Sequence, residues 1–156
     1  METTSIDLLS EEVILEQAGS GQRFLNYLID AASFYFVAIG IGIFIGIFFP
    51  STLSYIDEES VRFSIIDRII SLILYGLYMS IIEALFKGRS LGKLITGTKA
   101  VNEDGTTINT STAFIRGFSR AVPFNVFSAL GSPPYPWHDK WSKTYVVSIK
   151  NSTLPS

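Results

Sequence analysis

Residues 31–49 read Ala-Ala-Ser-Phe-Tyr-Phe-Val-Ala-Ile-Gly-Ile-Gly-Ile-Phe-Ile-Gly-Ile-Phe-Phe, nineteen positions without a single charge. Traced back to Phe24, the apolar run holds 26 residues. As a helix it rises roughly 39 Å, at about 1.5 Å per residue, against a hydrocarbon core of about 30 Å. A buried helix of a soluble domain is rarely apolar on every face for this length. The stretch therefore reads as a transmembrane helix over about 24–49, ended by Pro50 and Ser51.

Outward from it, a second span runs over about 65–86. Asp67 and Arg68 stand at its entry, Glu83 near its exit, and Ile69 to Ile82 carries no charge. The loop between the spans is acidic through Asp57, Glu58 and Glu59, whereas Lys87, Arg89, Lys93 and Lys99 follow the second span. Lys and Arg excess marks the cytoplasmic side, so both termini are predicted inside. Residues 1–20 carry Glu2, Asp7, Glu11, Glu12 and Glu16 and lack the basic start of a signal peptide. They read as a cytosolic segment, either a short amphipathic helix through Ile6, Leu9, Val13 and Ile14 or a disordered tail.

The 156 residues fit one domain and are 47% hydrophobic, with net charge -2 and no cysteine. That charge offers no broad basic field for nucleic acid. Cysteine-ligated zinc and thiol nucleophiles are excluded. The run Gly88-Arg89-Ser90-Leu91-Gly92-Lys93-Leu94 has three residues between its glycines and follows an apolar helix, unlike a phosphate loop. His138 is the lone histidine, and no nucleophile context supports a triad. Neither an enzymatic site nor a cofactor is expected.

Beyond the second span, Leu94 to Val101 and Thr144 to Ile149 read as strands, with a tight turn at Asp104-Gly105. Two short strands on one membrane face are predicted to pair as a small cytoplasmic hairpin-like cap. The segment about 111–131 looks like a third span, but Arg116, Arg120 and Pro123 interrupt it. A charge at the bilayer centre costs at least about 2.5 kcal/mol. A re-entrant or interfacial helical segment is therefore favoured, with a full third crossing as the alternative. Pro133 to Trp137 reads as a stiff turn with aromatic anchors. The organisation is an acidic segment (1–20), a membrane domain (21–150) and a short tail (151–156). The fold class is an all-α membrane protein with a small sheet.

Arg23 and Asp30 are seven residues apart and share a helix face. Arg23 can sit at the cytoplasmic headgroups, where its guanidinium snorkels, with Asp30 roughly 10 Å deeper and Glu83 about 6 Å below Lys87, at about 1.5 Å per residue. Each carboxylate is expensive there unless paired, hydrated or protonated. Arg116 and Arg120, four residues apart, are the obvious partners. Asp139 is expected at the cytoplasmic rim, opposite Arg89, Lys93 or one of these arginines. The cluster can be read as an ion or proton site, or as a structural clamp. Ala38, Gly42 and Gly46 form a small-residue stripe for close helix packing, against the second span or another copy of the chain.

These residues resemble the RDD family of small prokaryotic membrane proteins, named for an arginine and two aspartates. Arg23 and Asp30 match the first two. Glu83 to Lys93 looks like the end of the family's second helix, Ile95 to Val101 its following strand, and His138 to Val147 its closing motif with Asp139 as the second aspartate. The resemblance implies a membrane location and possible transport, including ion or proton antiport. The expected role is movement of an ion, proton or small solute by a homo-oligomer. The rivals are an adaptor for another membrane protein and lipid-headgroup binding through Arg116, Arg120 and Lys93.

Overall fold

The structure is a computed structural model that describes residues 13–53, 65–122, 128 and 135–155. The acidic loop residues Asp57, Glu58 and Glu59, the Pro123 interruption and the start of the Pro133–Trp137 turn lie outside the described residues, as do Ile6 and Leu9.

Two helices, α1 (Ser20–Phe48) and α3 (Ile65–Leu85), are long and apolar enough to cross a membrane. A helical turn, α2 (Pro50–Leu53), follows the first. α1 starts four residues before the expected Phe24, where the Gly19 backbone N–H donates to the Gln22 side chain at 3.3 Å. Its buried residues are Arg23, Asn26 and Asp30, spaced along one face. Toward Phe48 the helix turns outward-facing, with Phe36 80% and Ile47 68% exposed. α1 and α3 touch where Phe34 meets the rings of Tyr75 and Tyr78 at 5.3 and 5.6 Å, and Tyr78 donates to Ser33 at 3.0 Å.

α3 packs instead on α5 (Thr110–Ala121). The crossing is tight because small residues face each other. A Cβ on Gly117 would lie 2.1 Å from Ser80 Oγ and 2.6 Å from the Gly76 carbonyl oxygen. Small residues here let two backbones approach closely, as in membrane helix pairs. α5 is capped by Asn109, whose side chain accepts from the Thr112 N–H at 2.7 Å.

After α3 the chain turns through Lys87 and Gly88 at positive φ, and Gly88 O accepts from Ala100 N–H at 2.8 Å. The strand expected from Leu94 begins later. Leu91–Thr96 is a short helix, α4, because Ser90 caps its start and Gly97 ends it in the left-handed conformation. β1 (Thr98–Asn102) then pairs antiparallel with β2 (Thr144–Ser148), Ala100 opposite Val146. The expected pairing holds, but α5 and α6 (Trp137–Ser142) intervene between the strands, so they do not form a simple hairpin. The Asp104-Gly105 turn is present, with Gly105 at φ +81 and Asp104 accepting from the Thr106 N–H at 2.9 Å. Residues 13–18 run extended beside β2 rather than as an amphipathic helix: Ala18 N–H donates to Val146 O and Ser148 N–H to Glu16 O, each at 2.9 Å. They cover the free edge of the sheet, which would otherwise offer unpaired backbone groups. Ala18, Ala100, Ile108, Ala113 and Val146 form the apolar core under this sheet.

Candidate functional site

The site lies where the polar ends of α1 and α3 meet α4, α5 and α6. Arg23, Asp30, Glu83, Arg116, Arg120 and Asp139, six residues scattered over more than a hundred positions, converge there. The side chains of these residues and of Lys93 are at most 8% exposed.

Three arginines and three carboxylates form an unbroken alternating chain. Arg23 pairs with Asp139. Arg116 links Asp139 to Glu83, by Nη1 to Oδ1 at 2.7 Å and Nε to Oε2 at 2.8 Å. Arg120 links Glu83 to Asp30, by Nη2 to Oε1 at 2.8 Å and Nη1 to Oδ2 at 3.0 Å. The i,i+4 spacing of the two arginines puts both guanidiniums on the α5 face turned to α3. Planar, always-charged guanidiniums with several donors suit bridging of this kind.

Asp30 also docks α4 onto α1. It accepts from the Gly92 backbone N–H at 2.8 Å and from Ser90 Oγ at 2.7 Å. The approach requires glycine at 92, since a Cβ there would lie 2.4 Å from the Asn26 carbonyl oxygen. Asn26, between Arg23 and Asp30 on the same face, donates to Thr98 Oγ1 at 3.0 Å and ties α1 to β1.

Glu83 carries a third cation, since Lys93 donates to its Oε1. All six carboxylate oxygens therefore have a donor from the chain itself. Arg116 Nη2 and Arg120 Nε are buried without an acceptor. Burial alone would raise the Asp139 carboxyl, but Arg116 and Arg23 hold it below the usual carboxylate range. Burial, with Arg120, Arg116 and Lys93, pushes His138 well below its ordinary value against the pull of Asp139, so its ring is neutral. Burial lowers Lys93 to about 7, with Arg120 and Arg116 adding to the fall and Glu83 opposing it.

Several expectations are corrected. Arg23 does not snorkel to a surface: it is buried, and its Nε donates to Ala18 O at 3.0 Å. Asp139 is fully buried rather than at a rim; of its expected partners it takes Arg116 of the third segment, and Arg23 is a second. A guanidinium bridging two carboxylates satisfies Asp139 better than a rim lysine in water. Ala38 and Gly42, two members of the small-residue stripe on α1, do not pack closely within one chain. Ala38 and Gly42 are exposed, a Cβ on Gly42 would meet nothing within 4 Å, and Gly46 is half-buried. Close packing occurs at Gly76, Ser80 and Gly117 instead. Arg116 and Lys93 are buried and Arg120 nearly so, rather than exposed at a surface.

Sequence reasoning missed Lys93 as a cluster member, because it sits in a basic loop that reads as a surface charge. It also missed Asn26 and Ser90. The spacing of Asn26 between Arg23 and Asp30 was the available signal. Among the described residues, no three carboxylate, imidazole or thiol groups gather as a metal site.

No curated protein and no solved structure matches the chain. The family model described as "RDD family" matches residues 17–148, which takes in both apolar helices, the sheet and every charged residue of the cluster. The chain belongs to the RDD family.

Proposed function

We propose that this protein crosses the bilayer twice and, as an oligomer, moves a proton or small ion through the buried charge cluster at the cytoplasmic end of its helices. The carrying observation is the unbroken buried chain from Arg23 to Asp30 at the foot of both apolar helices. Ionisable groups at membrane depth mark ion and proton paths by default. The basic residues beside the cluster favour a cytoplasmic sheet and cytoplasmic termini. α5 has 12 residues, roughly 18 Å at about 1.5 Å per residue, short of a core of about 30 Å. That length favours an interfacial or re-entrant third segment. Two spans cannot enclose a path, and the exposed faces of α1 and α3 are where copies would meet.

The test is flux by the purified protein in liposomes under imposed pH and cation gradients. Gradient-dependent flux that disappears in Asp30→Asn, with folding retained, supports the proposal. A folded wild-type protein that moves nothing, and stays monomeric in lipid, overturns it. The occupancy of all six carboxylate oxygens favours a second reading, a clamp that holds a cap for docking another membrane protein. Under it, substitutions across residues 88–105 break a co-purifying complex while Asp30→Asn lowers stability alone.

A further inference from the structure

The alternating chain Arg23, Asp139, Arg116, Glu83, Arg120, Asp30 contains three cations and three anions and is neutral by itself. Lys93 is a seventh member, attached as a side branch to Glu83, which both Arg116 and Arg120 already contact. Its charge is the one without a matching anion. An uncompensated charge in a dry interior costs several kcal/mol, and a lysine sheds it by losing a proton, which an arginine does not do.

We propose that Lys93 is the proton-exchanging group of this cluster: its ammonium releases a proton toward the aqueous face of the sheet, leaving a neutral amine hydrogen-bonded to Glu83. The electron pair stays on Nζ, and the cluster alternates between net charge +1 and zero. The groups around Lys93 fix this choice. Glu83 faces it from α3, and Arg116 and Arg120 from α5. Asp30 from α1 holds the start of α4. His138 and Asp139 stand on α6, the first neutral and the second spent on Arg23 and Arg116. Glu83 alone favours the charged lysine, and two arginines within the cluster oppose it. Other lysines lack this setting: Lys87, Lys140, Lys143 and Lys150 are exposed, and Lys99 is half-buried outside the cluster.

The inference deepens the proposed function, yet its test does not depend on flux. Full-length protein with isotope-labelled lysine is placed in phosphatidylcholine–phosphatidylglycerol nanodiscs. The side-chain Cε and Nζ resonances are followed from pH 5 to 10, and Lys93 is assigned as the signal missing in Lys93→Met. The expected midpoint lies within about one unit of 7, at least two units below that of an ordinary lysine near 10.4. A Lys93 signal that stays charged to pH 9 overturns the assignment. In liposomes, Lys93→Arg, fixed in the charged state, is expected to lose any proton flux. Should Lys93→Arg fail to fold, the wild-type titration still decides. A low midpoint without flux leaves the proton assignment standing and removes the transport reading. Flux with Lys93 charged throughout does the reverse.

Discussion

Replacing Lys93 by methionine should make the protein more stable near pH 6, although the substitution deletes one partner of a buried ion pair. Methionine keeps most of the length and volume and leaves a neutral cluster of three arginines and three carboxylates. The magnitude follows from linkage. In the fold Lys93 titrates at about 7, in the unfolded chain at 10.5. Below pH 7 both states hold the proton, and the fold bears the whole penalty, roughly 5 kcal/mol at about 1.4 kcal/mol per unit. Between pH 7 and 10.5 the unfolded chain binds a proton that the fold does not, so wild-type stability rises with pH. From pH 7 to 9 the gain is roughly 2 kcal/mol. The side chain is 1% exposed, so solvent screening takes little from this figure. The assay is denaturant unfolding of purified wild type and Lys93→Met in the same detergent, pH 6 to 9. The difference between the two curves cancels groups common to both. The variant should lead at pH 6, and its lead should shrink by roughly 2 kcal/mol between pH 7 and 9. Parallel curves would refute the reasoning. So would a variant weaker at every pH by about 3–5 kcal/mol, the usual result of breaking a matched buried pair.

Other outcomes follow from the same geometry. Glu83→Gln leaves four cations around two carboxylates and should cost about 3–5 kcal/mol in the same unfolding assay; adding Lys93→Met should recover part of that loss, whereas strict additivity would count against a shared charge balance. Gly117→Leu forces a side chain into Ser80 and the Gly76 carbonyl and should cost about 1–3 kcal/mol or more, visible as a lowered unfolding midpoint. Gly42→Leu should leave the unfolding midpoint of the single chain within about 0.5 kcal/mol, and a change in mass by light scattering would place α1 in the oligomer contact. Arg23→Gln and Asp139→Asn remove two ends of one pair, so a double-mutant cycle should return a coupling of about 0.5–3 kcal/mol, and a value near zero would contradict the buried pairing.

The sequence by itself determined the two apolar helices, because charge-free runs of 19 and 14 residues have few other stable uses, and their observed bounds lie within a few residues of the expected ones at most ends. It also determined which charges had to find each other. Asp30, Glu83, Arg116 and Arg120 stood on apolar segments where none is tolerable alone, and burying a charge is costly enough to force a partner. The pairing of Thr98–Asn102 with Thr144–Ser148 was legible from β-branched runs and from the instability of a lone short strand. Tertiary structure alone decided the rest. Ser90 and Gly97 are short-range cap signals that turned an expected strand into the helix Leu91–Thr96, and the docking of that helix on Asp30 carried Lys93 from an apparent surface loop into the interior. The choice of Gly76, Ser80 and Gly117 over Ala38 and Gly42 as the close crossing depended on which helix came to lie alongside, and composition does not encode that. The order of links, with Arg116 between Asp139 and Glu83 and Arg120 between Glu83 and Asp30, rests on distances of a few ångströms between residues far apart in the chain, and folding alone sets those distances.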